Sequence, residues 1–251
     1  MKKHLIYIIG IAAAFFTACE NISEDERFLE VEGVTAQRVV LLEDYTGQAC
    51  VNCPKAHEKA TELHELYPQN LIVVAIHAGM QALPGLKLEE GDTYADNAGV
   101  KIYPSGHINR RGGLKDYEDW TETVVEEVGK PSNLDITVNA TMQEGKIQIE
   151  TNLLALDEVQ GKLQLWMIED GIVAFQVGAS SEYVHNHVFR GSINGTWGED
   201  LSLNLGETKK LQHNDVALKE AWNPANLSVV AFVYNEEGVL QAAQCKVVTN
   251  E

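Results

Sequence analysis

Hydrophobic positions change their rhythm along the chain at about residue 131. Before it, Val39 to Leu42 and Leu71 to Ile76 are unbroken apolar runs, the pattern of strands covered on both faces. Between them Ala56, Ala60, Leu63 and Tyr67 recur at helical spacing, with Lys55, Glu58, Lys59, Glu62 and Glu65 on the opposite face. This predicts a helix from about Cys50 to Tyr67, stopped by Pro68-Gln69-Asn70. Strand, helix and strand in this order make a βαβ unit, whose crossover should be right-handed. Gly106 to Leu114 reads as a hairpin turning at Arg111-Gly112-Gly113. Asp116 to Val128 follows as a second amphipathic helix, with Trp120, Val124, Val125 and Val128 inward.

After the linker Gly129-Lys130-Pro131-Ser132-Asn133 the period becomes two. Leu134, Ile136, Val138, Ala140 and Met142 alternate with polar residues, as do Ile147 and Ile149 beyond the turn Gln143-Glu144-Gly145-Lys146. Leu163, Leu165 and Met167 repeat the pattern before the turn Glu169-Asp170-Gly171. Further strands are expected at Ile172–Val177, Leu201–Leu205, Leu227–Tyr234 and Val239–Val247, with a short helical crossover at Asp215–Trp222. Many short period-two segments with regular turns predict an all-β, immunoglobulin-like sandwich over residues 132–251.

Composition narrows the classes. A chain of 251 residues can bury a full core without disulfide staples. Its 45% hydrophobic and 22% charged residues are those of a folded protein. The net charge of −18 argues against nucleic acid as a partner and against electrostatic docking on anionic lipid. Only 4 cysteines are present, so their positions matter more than their number.

The first cysteine ends an address. Met1-Lys2-Lys3-His4 precedes an apolar run from Leu5 to Phe16, then Thr17-Ala18-Cys19. A basic start, a short apolar stretch and a small-residue cleavage site describe a signal peptide over residues 1–18. Cys19 directly after Ala18 resembles a bacterial lipobox, which implies cleavage before Cys19 and its lipidation; an ordinary signal peptide with Cys19 incidental is the alternative. Residue 20 is Glu rather than Asp, so an outer-membrane location, on the periplasmic or the cell-surface face, is expected. Residues 19–37 then form an acidic tether, with six acids against one Arg in residues 20–32. Loss of residues 1–18 removes Lys2 and Lys3 and no acids, taking the charge to −20.

Cys50-Val51-Asn52-Cys53 falls where the first strand meets the helix. With Cys50 at the helix cap, a thiolate would be stabilised by unpaired N–H groups and the helix dipole. Its pKa would fall and it would become a nucleophile, with Cys53 able to resolve a mixed disulfide. Two other readings remain: a structural disulfide, and half of a zinc site with His57, His64, His77 or His107. No second C-x-x-C exists and no pair of these histidines has compact ligand spacing, so neither a metal nor a cofactor is expected. His185-Asn186-His187 could put two histidines on one strand face, but without an evident third ligand a structural or loop role is expected. Cys245 is expected to be a buried thiol.

C-x-x-C after a core strand, with Ile102-Tyr103-Pro104-Ser105 downstream, resembles the thioredoxin superfamily. That resemblance implies an α/β thioredoxin-like domain over residues 38–130, followed by the all-β domain. It also implies a cis bond before Pro104, opposite the sulfurs, and a buried proton-transferring acid at Asp44, whose neighbour Glu43 competes for the inward position. Ala49 departs from the family's usual Trp, and Val51-Asn52 from its Gly-Pro. Over a longer span, the chain resembles the outer-membrane-protein-28-related lipoproteins of Bacteroidetes. The residues that carry this likeness are the stretch from Glu43 to His57, the segment Tyr183-Val184-His185-Asn186-His187-Val188-Phe189-Arg190-Gly191, and Cys19. Two functions follow as expectations. One is a lipid-anchored thiol–disulfide oxidoreductase acting on extracytoplasmic protein thiols and disulfides, with Cys50, Cys53, Pro104 and Asp44 at its centre. The other is a surface binding or adhesion lipoprotein for envelope proteins, with Cys50–Cys53 as a structural bridge.

Overall fold

The first long strand is buried along its whole length, and it sets the frame for the candidate site. A short strand, β1 (Ala36–Gln37), leads into β2 (Val40–Thr46), helix α1 (Cys53–Leu66) and β3 (Leu71–His77). All residues of β2 and β3 are buried, and the two strands run parallel, from Val40 beside Leu71 to Thr46 beside His77. Side chains on β2 alternate between two cores. Val40 and Leu42 pack with Ala56, Ala60 and Leu63 of α1, while Leu41 and Tyr45 pack on the other side with Ile72, Val74 and Ile76. Helix α2 (Glu89–Ala98) follows, then β4 (Ser105–Ile108), antiparallel to β2, and helix α3 (Trp120–Val128), which sets Trp120 and Val124 into the core beside α1. The structure is a computed structural model and describes residues 34–180 and 182–249. The expected signal peptide, the Cys19 lipid site and the tether up to residue 33 lie outside the described residues.

The remaining strands are β5 (Pro131–Ser132), β6 (Leu134–Gln143), β7 (Lys146–Ala155), β8 (Val159–Glu169), β9 (Ile172–Val173), β10 (Val184–His185), β11 (Val188–Ser192), β12 (Glu199–Leu203), β13 (Thr208–Ala217), β14 (Leu227–Asn235) and β15 (Gly238–Thr249). Eight of them join β2, β3 and β4 in one sheet of order β13-β7-β6-β15-β14-β8-β11-β3-β2-β4, with β12 paired to β8. The small pairs β1–β5 and β9–β10 stand apart. The sheet is mixed: β11 runs parallel to β3 and antiparallel to β8, and the end of β15 runs parallel to β6.

This architecture overturns the expected fold class of an α/β thioredoxin-like domain followed by an immunoglobulin-like sandwich. The reason is the burial of β8 and β14. Leu163, Leu165 and Met167 of β8 face one core together with Leu134, Ile136 and Val138 of β6. Trp166 and Ile168, which alternate with Leu165 and Met167, face the core of Leu41, Ile72 and Tyr94, as do Val230 and Phe232 of β14. Strands covered on both faces cannot be the half-exposed strands of a separate sandwich. They join the two halves of the chain into a single, mostly β structure.

Local differences have local causes. α1 starts at Cys53 rather than Cys50, with Asn52 as its cap residue and Pro54 in the first turn, where a missing N–H costs nothing. Helix α2 escaped the periodicity because a glycine sits inside it and only Gly91, Tyr94 and Ala95 are buried; Gly99 ends it in the left-handed conformation. Of the helix expected at Asp215–Trp222, the first three residues are the end of β13 and residues 218–222 are loop and turn; the pairing of β13 with β7 shifts between His213 and Val216, where Asp215 has positive φ. Ile172–Val177 is strand only at Ile172–Val173.

Gly106 of β4 lies against the buried Trp120 indole, where a Cβ has no room. Gly106→Ala is therefore expected to lower stability by about 1–3 kcal/mol, read as the shift in the denaturant midpoint.

Candidate functional site

Cys50 and Cys53 form a disulfide. The loop that carries Cys50 is pinned from two sides. Ala49 N–H donates to Gln81 O at 2.8 Å, and Leu83 N–H donates to Gln48 Oε1 at 2.9 Å. From far along the chain, Val177 N–H donates to Gln48 O at 2.8 Å and Gln176 Nε2 donates to Cys50 O at 2.9 Å. Under this cover Cys50 is only 5% exposed and Cys53 is fully buried. Both cysteines thus lie just before and at the start of α1, as expected, although Cys50 is not the cap. The Tyr103–Pro104 bond is cis and Pro104 is buried. Tyr103 packs its hydroxyl against Gly79, two residues before the carbonyl that holds Ala49.

Strand alternation sends Glu43 and Asp44 to opposite sides of β2. Glu43 takes a bidentate ion pair with Arg110, at 2.7 Å from Nη2 and 3.0 Å from Nε. Arg110 in turn stacks over Trp166, Phe232 and Tyr234. Asp44 points towards α1. It is buried, and neither carboxylate oxygen has a hydrogen-bond partner. Burial pushes its pKa up to about 8, because the charged form loses its hydration without a compensating partner.

The nearest titratable contact of Asp44 is His57, one turn beyond Cys53 on α1, with Nε2 at 3.6 Å from Oδ2. His57 Nε2 also lies 2.8 Å from Thr46 Oγ1, and Nδ1 lies 2.8 Å from Tyr183 Oη. Burial depresses the His57 pKa to about 3. With Asp44 raised and His57 lowered, the two face each other neutral at neutral pH. His185 packs edge-on against His57, His77 and Tyr183, with ring centroids 6.1, 5.2 and 4.9 Å apart. His77 and His185 are buried without hydrogen bonds to their ring nitrogens, and burial lowers both pKa values. A cavity of about 380 Å³ opens beside them, lined by Asp44, His57, Glu58, Tyr183 and His187 among others.

Tyr183 and His185 reach this place because β11 pairs with β3 at Val188 and Ala75, and His187 O accepts from Ala75 N–H at 2.8 Å. The chain just before β11 is thereby laid over α1 and the end of β3. Sequence reading missed their role. The signal was His185-Asn186-His187, but its partners are more than a hundred residues away, and only the sheet order brings them together. Among the described residues, no group of three or more His, Cys, Asp or Glu side chains is arranged to hold a metal ion. His64 bonds Leu71 O through Nδ1 at 2.9 Å, and His107 sits 3.9 Å from Glu43. Cys245 is a free, partly buried thiol packed against the β6–β8 core, its pKa raised by burial to about 11.

Asp44 binds its proton more tightly in the folded chain than in the unfolded one, where a carboxyl titrates near 3.9. Its contribution to stability is therefore present below about pH 4 and lost as pH rises through about 8. Asp44→Asn is expected to gain stability over the wild type progressively from pH 4 to 8 and to level off above, in melting curves recorded across that range. His57 has the opposite sign. It is bound neutral, so its contribution is lost as pH falls from about 6.5 towards 3.

No curated protein sequence matches this chain. Among solved structures, HBP35 of Porphyromonas gingivalis is similar over 86% of this chain and 77% of its own, with a TM-score of 0.71 and 17% identity. Protein AGR_C_4864 of Agrobacterium tumefaciens is similar over 86% and 97%, with a TM-score of 0.56 and 14% identity. At these identities the likeness is one of fold. The sequence profile described as outer membrane protein Omp28 matches residues 91–251, a span that begins after the cysteine pair and includes Tyr183, His185 and His187. The chain belongs to the Omp28 family of outer membrane proteins.

Proposed function

We propose that this outer-membrane-family protein is anchored by a lipid on Cys19 and exchanges thiols and disulfides with extracytoplasmic proteins through Cys50 and Cys53. One observation carries the redox reading. The disulfide opens α1 one turn from His57, and His57 touches a buried carboxyl, Asp44, that has no hydrogen-bond partner of its own. An unpaired buried acid is a net cost to the fold, and perturbed acids gather where protons are moved. In this reading a substrate thiolate attacks Cys50, Cys53 leaves as a thiolate, and Asp44, mostly protonated at neutral pH, supplies its proton. A second substrate thiol then attacks the mixed disulfide, leaving the substrate oxidised and the cysteine pair reduced. The reverse sequence reduces a substrate disulfide. Pro104, after its cis bond, is the residue this reading expects beside the substrate backbone.

A second reading is favoured by the burial of Cys50: a surface binding protein in which the bridge is structural. The two diverge in one experiment. The redox reading expects Cys50→Ala to reduce insulin-reduction and dithiol-oxidation rates to the uncatalysed background, with a stability loss of no more than about 2 kcal/mol, the entropy of so short a loop. Unchanged rates would leave the structural reading. For the anchor, Cys19→Ala is expected to move the protein from the membrane fraction to the soluble one, with loss of the acyl mass on the mature N-terminus.

A further inference from the structure

Asp44 borders the cavity, yet both its carboxylate oxygens are covered, so a proton it gives to Cys53 is replaced through its neighbours. We propose that Tyr183 and His57 form the proton path between Asp44 and the solvent-filled cavity, which makes the segment before β11 part of the redox machinery. The proposal rests on the thiol–disulfide reading above. Its geometry is a line of contacts: Tyr183 Oη to His57 Nδ1 at 2.8 Å, then His57 Nε2 to Asp44 Oδ2 at 3.6 Å. The second gap is longer than a hydrogen bond, as is common in a resting site that tightens during reaction. Both Tyr183 and His57 line the cavity of about 380 Å³. The imidazole is neutral at working pH because burial lowers its pKa, so it passes a proton by accepting on one nitrogen and donating from the other.

The step balances as follows. A thiolate of a dithiol such as dithiothreitol attacks Cys50 Sγ. A new S–S bond forms, the Cys50–Cys53 bond breaks, and its electron pair stays on Cys53, which takes the proton of Asp44. In the tautomer with hydrogen on Nε2, which at rest faces Thr46 Oγ1 at 2.8 Å, His57 turns that proton to the Asp44 carboxylate while Nδ1 takes the hydroxyl proton of Tyr183. Tyr183 recovers a proton from cavity water. The second thiol of dithiothreitol loses its proton to solvent and attacks the dithiothreitol sulfur of the mixed disulfide; the bond to Cys50 Sγ breaks and Cys50 leaves as a thiolate. The protein disulfide has gained two electrons and dithiothreitol has become a cyclic disulfide.

Tyr183 and His57 touch neither sulfur in this scheme; they are positioning and relay residues, so the test must separate proton delivery from folding. Reduction of the Cys50–Cys53 bond by dithiothreitol is followed by rapid quenching and thiol alkylation, in the full chain and in Tyr183→Phe. The variant is expected to react about tenfold slower in dilute buffer and to recover most of that rate as imidazole is added, because the cavity has room for imidazole to replace the missing hydroxyl. The wild type should not respond to imidazole. A Tyr183→Phe rate equal to the wild type, or a slow rate that imidazole leaves unchanged, would overturn the relay. A wild-type proton inventory in mixed H₂O and D₂O gives a check that needs no variant: a curved inventory is expected, and a linear one removes the relay. None of these outcomes depends on whether Cys50→Ala abolishes activity on protein substrates, so the relay can fail while the redox reading stands.

Discussion

Two strands, β8 and β14, carry apolar side chains on both faces, and the position of the site follows from their burial. A strand with Leu165 on one side and Trp166 on the other must lie between two layers. One layer is built by β6 and β7; on the other face α2 sets Tyr94 and Ala95 against β8 and its sheet neighbours β3 and β2. With β8 fixed there, β11 fills the gap between β8 and β3, pairing antiparallel with one and parallel with the other. Glu169 and Arg190, on these neighbouring strands, form a buried ion pair at 3.0 Å. Loss of either partner would strand a charge in the core. The segment before β11 runs over α1, which brings Gln176 to the cysteine loop and Tyr183 and His185 to His57.

Adjacent carboxylates on β2 show how strongly this frame sets chemistry. Glu43 and Asp44 are alike in type and equally buried. On one side Glu43 meets Arg110, held by three aromatic rings, and the charges compensate. On the other Asp44 meets a neutral imidazole and no donor within hydrogen-bond distance. The strand's period of two is the whole difference between a paired charge and a buried carboxyl without a partner.

That division was partly legible in the sequence. The runs Val39–Leu42 and Leu71–Ile76, the amphipathic helix after Cys53 and the alternation from Leu134 to Ala140 all became elements close to their expected places. Asp44 was singled out, but parity could not be assigned without the register of β2. The class of fold was not legible, because Leu163, Leu165 and Met167 alternate as they would in a sandwich strand. Trp166 and Ile168, on the other face, belong to a second core that this alternation does not reveal. Tyr183, His57 and His185 were each visible as residues, yet nothing local ties a position near 184 to one near 57. That tie is made by a single parallel pairing between β11 and β3.

The length of the disulfide loop bears on what the cysteine pair is for. In the chain-entropy account a bridge stabilises by restricting the unfolded chain, and the effect grows with the loop it closes. Cys50 and Cys53 are three residues apart, so the loop is near the smallest possible and the stabilisation is about 2 kcal/mol. A chain with cores on both sides of its central strands has little need of so weak a staple. The same short spacing is what exchange chemistry requires, since the resolving sulfur has to reach the mixed disulfide without unfolding the helix. The surroundings carry costs of their own: an acid without a partner, and two histidines without hydrogen bonds. Stability alone would replace such groups with apolar ones. Their convergence beside so short a bridge is what the proposed proton-coupled exchange would use.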